Sequence, residues 1–95
     1  NIVEIKKGFA RGGHFHNFPS THTLITGKIE VREENLKTGV EQTKKISSPS
    51  IINAEENVAH IFIALEDSIF IETFEGEYQA INYPKYRKIV NEKIK

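Results

Sequence analysis

Gly8-Phe9-Ala10-Arg11-Gly12-Gly13-His14-Phe15-His16, continued by Asn17-Phe18-Pro19-Ser20-Thr21-His22 and ended at Gly27, places two histidines one residue apart between turn-forming segments. On an extended strand, residues two apart leave the same face, so His14 and His16 share a side and Phe15 takes the other. The same parity groups His22 with Ser20 and Leu24 on the strand expected over residues 21–26. Imidazole is a common ligand for transition metals, and same-face histidine pairs are what such sites need. An isolated H-x-H pair also suits solvated or hydrogen-bonded histidines. Gly12-Gly13 inside the strand reads as a bulge or as a place where another backbone comes close. It is no phosphate loop, because neither a Gly-Lys-Ser/Thr run nor a helix follows.

Outward from this stretch the texture stays β-rich. Ile2–Ile5, residues 29–32, residues 40–46, residues 50–53, residues 58–65, residues 68–74 and residues 77–81 read as further strands, separated by turn residues. Asn35 to Gly39 reads as a hairpin loop, and Ser47-Ser48-Pro49-Ser50 and residues 54–57 as turns. Short strands at such intervals indicate a β-sandwich or a closed barrel. Ile61-Phe62-Ile63-Ala64-Leu65 is apolar at every position, so this strand is expected to be covered on both faces. The second cover is either the C-terminal segment or a second subunit, and a homodimer is the expectation. Ile89, Val90 and Ile94 are spaced for one helical face after Pro84, which suits a helix start.

The chain of 95 residues fits one domain, with 38% hydrophobic and 27% charged residues. Thirteen basic and thirteen acidic side chains balance, which argues against a nucleic-acid partner. The absence of cysteine excludes thiolate metal sites. No apolar run approaches the length of a membrane span and no signal peptide is visible, so a soluble, cytoplasmic protein is expected.

The spacing Gly8-x5-His14-x-His16-x3-Ser20-x6-Gly27 resembles the first signature of the cupin superfamily, which is Gly, five residues, His-x-His, three or four residues, Glu, six residues, Gly. Four of its five marked positions match, and Ser20 stands where the family has Glu. Anchored on His60, the second signature falls on Pro49, Glu55, Asn57 and Ala64, and only the histidine matches. Asn57 tolerates the left-handed backbone that a family glycine would serve there. The resemblance spans Gly8 to Phe74. It implies an all-β fold, the cupin-type double-stranded β-helix or jelly-roll barrel, with a short C-terminal segment that is helical if the Ile89 pattern holds. It also implies a metal held inside the barrel by His14, His16 and His60. For the fourth position, either His22 replaces the missing carboxylate or water fills it. An all-nitrogen donor set admits zinc, iron, nickel, copper or manganese. Without the carboxylate the site is more positive, which suits an anionic small molecule.

Arg11-Gly12-Gly13-His14-Phe15-His16 also resembles the Arg-Gly-x-His-x-His stretch of cupin-type sugar-nucleotide isomerases and epimerases. Those enzymes act on dTDP-linked keto-deoxysugars, generally without metal. That resemblance implies Arg11 as the anion contact and His14 or His16 as catalytic base. Three functions follow: a metal-dependent oxygenase- or isomerase-type enzyme, a metal-free sugar-nucleotide isomerase, and a non-catalytic ligand-binding module. Glu72 shares a face with Phe70 and Phe74. It is either an interior acid in need of a partner or an exposed edge residue. Tyr83 to Lys88 combines aromatics with cations, and either docks its tyrosines on the barrel or closes over the barrel mouth. Residues 32–45 read as a solvated hairpin.

Overall fold

The computed structural model describes residues 2–16, 19–74 and 80–93. Nine strands and one helix follow in order: β1 (Ile2–Ile5), β2 (Ala10–His16), β3 (Ser20–Thr26), β4 (Lys28–Asn35), β5 (Glu41–Ser47), β6 (Ser50–Ala54), β7 (Val58–Ala64), β8 (Ser68–Phe74), β9 (Ala80–Asn82) and α1 (Pro84–Lys93). All the strand pairings are antiparallel, and they build two facing sheets, β1-β8-β3-β6 and β5-β4-β7-β2-β9. Consecutive strands alternate between the sheets except at the β4–β5 hairpin, which is the jelly-roll path.

Alternation along each strand sorts the side chains into three layers. Ile5, Leu24, Ile29, Val31, Ile52, Phe62 and Phe70 form one buried cluster between the sheets. Ala10, Ala59, Ile61 and Ile63 point to the other face of the five-stranded sheet, where Tyr86 and Val90 of α1 cover them. All seven residues of β7 are buried, as its unbroken apolar pattern predicts. The second cover is α1, so this strand gives no reason of its own for a second subunit. Asn57 has φ 58°, the left-handed conformation expected of it before β7.

Differences from expectation lie at element ends. β4 runs to Asn35 rather than stopping at position 32, because Glu33 and Glu34 keep their ladder partners Gln42 and Glu41 across the hairpin. The last strand was expected over 77–81. It is seen at Ala80–Asn82, and residues 75–79 lie outside the described set. Among the described residues, no helix is long and apolar enough to cross a membrane.

The charged hairpin is more than a solvated face. Its Glu34 carboxylate accepts hydrogen bonds from Lys85 Nζ at 2.8 Å and from the Tyr83 hydroxyl. Lys85 also pairs with Glu41. These bonds hold the Glu34 carboxyl down at about 2, while burial pushes the Tyr86 phenol up to about 12. Tyr86 is 3% exposed and supplies the largest side chain under which Ile61 and Ile63 are hidden. Tyr86→Ala is expected to cost about 3 kcal/mol, within the range for deleting a buried aromatic. The urea midpoint of unfolding reads it, and an unchanged midpoint would show that α1 does not cover β7 in solution.

A histidine-lined cavity between the sheets

The backbone of β2 explains how the histidine stretch reaches the barrel interior. Ala10, Arg11 and Gly12 pair with Ile63, Phe62 and Ile61, and then the register slips so that His14 pairs with His60. Gly13 is the extra residue of this bulge. A regular strand would send positions 11 and 14 to opposite faces, whereas the slip brings both into phase with Phe62 and His60. Both glycines are needed. Gly12 has φ +98° and Gly13 φ +75°, and a Cβ on Gly13 would come within 2.9 Å of the Arg87 backbone nitrogen in α1. Arg87 in turn donates from Nη1 to the Gly12 carbonyl at 3.2 Å, and Tyr83 N–H donates to the Gly13 carbonyl at 2.8 Å. Gly13→Ala therefore combines backbone strain with a clash against α1. A loss of about 2 kcal/mol or more is expected, with protection from amide exchange lost in α1 before the rest of the chain.

The sequence singled out four histidines and Arg11. His14 and His16 stand on β2 at the second-sheet side, and their side chains lie outside the described residues. His14 is the direct ladder partner of His60 on β7. His60 is 2% exposed, and its Nδ1 lies 3.4 Å from the carbonyl of Val58 on its own strand. With the ring proton assigned to Nδ1 by that contact, Nε2 carries the lone pair. A backbone carbonyl fixing one nitrogen while the other remains a donor is the usual support of a metal-bound imidazole. On these grounds His60 has the support of a metal-ligating imidazole. Among the described residues, which exclude the side chains of His14 and His16, no group of three histidine or carboxylate side chains forms a cage.

His22 sits on the opposite sheet and is 2% exposed. Its ring packs 4.8 Å from Phe62, 5.7 Å from Phe70 and 5.8 Å from His60, centroid to centroid. Nε2 lies 3.1 Å from Ser20 Oγ, and Nδ1 lies 3.8 Å from Glu72 Oε1. Ser20, in the place of the cupin Glu, therefore meets His22 on its own strand. If the Ser20 hydroxyl donates to Nε2, the Nδ1 proton points toward the Glu72 carboxylate. Glu72 pairs with His22 across β3–β8 and is an interior acid rather than an edge residue, its side chain 23% exposed. The β-strand alternation with Phe70 carried that reading.

Arg11 pairs with Phe62 and lines the same cavity, about 820 Å³ in volume, together with Lys6, His60, Phe62, Glu72 and Arg87. The cavity opens between the β1 and β2 sides of the two sheets and extends to α1. Lys6 and Arg87 were not singled out by the sequence as site residues of their own. Only the bulge at Gly12-Gly13, which admits α1, brings position 87 to the opening.

Burial raises the Glu72 carboxyl above its usual 4.5, and the Arg11 cation opposes that rise. A carboxyl raised in the folded state weakens the fold as it ionises, from the unfolded value up through the folded one. Glu72→Gln is accordingly expected to melt at or above the parent at pH 7, with the difference gone at pH 4. Thermal unfolding at both pH values measures this, and a variant several degrees less stable at pH 7 would refute it.

No protein-family model matches the chain, and no curated protein does. Solved structures do. Oxalate decarboxylase from Lactobacillus farciminis, in a formate complex, is 24% identical with a TM-score of 0.76, covering 93% of this chain and 27% of that one. RmlC from Streptococcus suis, in complex with dTDP-D-xylose, is 19% identical with a TM-score of 0.72, covering 83% of this chain and 44% of that one. CapF, a capsular polysaccharide assembling protein from Staphylococcus aureus, is 13% identical with a TM-score of 0.75, covering 85% of this chain and 25% of that one. The chain thus spans between a quarter and just under half the length of these proteins. With its two facing jelly-roll sheets, the histidine stretch on β2 and His60 on the adjoining strand, the chain has the cupin fold.

Proposed function

We propose that the barrel binds a small, anionic or sugar-related molecule in the cavity beside His60, at a divalent metal held by His14, His16 and His60. The observation that carries this reading is the register: His14 and His60 are direct partners across β2–β7, and the Gly13 bulge is what brings them into line. Water or the ligand would complete the coordination, as an open catalytic site requires. A metal so held would supply Lewis-acid polarisation of a ligand oxygen. Among the chain's own groups, Arg11 and Lys6 offer positive charge to an anion entering the cavity, and the apolar ring of Phe62 limits water there. His22 supports the floor through Ser20 and Glu72 rather than serving as the fourth ligand.

A second reading uses the same cavity without metal. Glu72 lines the cavity beside Arg11, and the buried His22 stands 3.8 Å behind that carboxylate. In this reading Arg11 contacts the anion and His14 or His16 is the base for proton transfer next to a carbonyl, as the resemblance of residues 11–16 to sugar-nucleotide isomerases implies. The structural likeness to an RmlC bound to dTDP-D-xylose is in keeping with it. In either reading, acting as a homodimer and residence in the cytoplasm are further parts of the proposal.

Metal content of the untagged protein by plasma mass spectrometry decides between the two. About one equivalent of one transition metal is expected in the parent and is expected to be lost in both His14→Ala and His60→Ala. A metal-free parent whose melting temperature does not respond to added zinc, iron, nickel or manganese would reject the metal reading. Deuterium uptake into a keto-deoxysugar nucleotide would then test the second.

A further inference from the structure

Lys6, Arg11 and Arg87 all line the cavity, but the three cations are not equivalent. Lys6 is held by Glu4 at 2.8 Å and stands 3.9 Å from Asp67. Arg11 and Arg87 have no carboxylate at ion-pair distance among the described residues. They come from different layers of the fold. Arg11 belongs to β2, in phase with Phe62, and Arg87 to α1 on the far side of that sheet. Among the described residues, β9 pairs with β2 only along His14–His16, which leaves Ala10–Gly12 as an open edge. The cavity runs round this edge as far as Val90 of α1. Both arginines border the same peptide there. Arg11 precedes Gly12, and Arg87 donates from Nη1 to the Gly12 carbonyl at 3.2 Å. That bond uses one arm of a planar fork that has several further N–H donors. Charge gives Arg87 a particular weight. Lys6 is matched by Glu4, and Arg11 opposes the charge of Glu72, so Arg87 is the cation that tips the opening positive.

We infer that Arg87 is a ligand contact contributed by α1, clasping a phosphoryl group together with Arg11 at the edge of β2, so that binding and helix docking are one event. This rests on the reading of the cavity as an anion site and not on the metal. Chemistry selects the group. A carboxylate is satisfied by one guanidinium in a two-pronged bond, whereas a phosphoryl dianion carries a third oxygen and a second charge, which suit a second guanidinium. The coupling follows from where Arg87 stands. It reaches the opening only while α1 is docked, and the helix is pinned at its start by Tyr83 and Lys85 on Glu34. Whatever affinity the phosphoryl group gains from Arg87 is therefore gained by the docked helix as well, since coupling between two equilibria is reciprocal.

Calorimetric titration with inorganic phosphate at about pH 8, where it is a dianion, tests this on the parent, Arg87→Gln and Arg87→Lys, with acetate as the carboxylate control. Phosphate is expected to bind the parent at least about tenfold more tightly than acetate, and Arg87→Gln to remove most of that preference. Loss of a purely structural Arg87 would weaken both anions alike and leave their ratio unchanged, which would overturn the contact. Arg87→Lys keeps the charge without the fork and is expected to restore part of the ratio, and it takes over the test if Arg87→Gln fails to fold by circular dichroism. Glucose 1-phosphate run beside phosphate separates an ester from the free ion, and either one bound through Arg87 upholds the clasp. Amide exchange in α1 is expected to slow when phosphate is added to the parent and not when it is added to Arg87→Gln. Phosphate binding that leaves α1 exchange unchanged would overturn the coupling while the anion site at Arg11 stands. A parent that binds no phosphate would overturn this inference and the anionic reading of the cavity together.

Discussion

Strand β7 is apolar on both faces, and a strand of that kind has to be buried from two directions at once. Its inward residues, His60, Phe62 and Ala64, need the facing sheet. Its outward ones, Ala59, Ile61 and Ile63, need a second layer that a two-sheet sandwich does not provide. The ten residues of α1 provide that layer, pinned at their start by Tyr83 and Lys85 on the carboxylates of Glu34 and Glu41. The helix has little helical preference of its own to offer, so its order comes from this docking rather than from propensity. The histidine cavity inherits its geometry from the same arrangement, because α1 lies against the bulge that sets the register of β2 against β7.

Electrostatics inside the barrel are arranged in pairs. His22 is enclosed by Phe62 and Phe70, yet its two nitrogens approach Ser20 and Glu72. The buried imidazole and the half-buried carboxyl sit on paired positions of β3 and β8, where burial still raises the Glu72 carboxyl and the Arg11 cation opposes that rise. Ser20 belongs to this network by its hydroxyl. In the family pattern a carboxylate occupies its place, and here the nearest interior carboxylate comes instead from Glu72, on the next strand of the sheet.

Much of this was legible in the residues. Strand-scale alternation located eight of the strands, and the unbroken apolar run of β7 required a cover, with the Ile89 and Val90 spacing already pointing to a helix. The resemblance to the cupin signatures implied neighbouring strands for the H-x-H stretch and His60, and β2–β7 pairing agrees. What stayed hidden depends on contacts between distant segments. Nothing local to Glu34 and Glu41 says that they anchor residues 83 and 85, since a charged hairpin looks the same whether solvated or docked. The Ser20–His22 contact was equally invisible. Shared parity puts the two on one face, but only ring orientation within the packed core decides whether they meet. Arg87 reaches the cavity because two glycines leave room for it, a consequence of backbone geometry rather than of any pattern around position 87.

Gly12 and Gly13 have a consequence for how the cavity could be altered. For two residues the partition between barrel interior and helix is bare backbone: a Cβ on Gly12 would meet His60, and one on Gly13 would meet Arg87. The cavity wall is one peptide thick at that point. Position 87, more than seventy residues further along the chain and on the outside of the sheet, thereby reaches the interior through this thin wall, and because its guanidinium also bonds the Gly12 carbonyl, a change there is felt by the strand that carries His14 and His16.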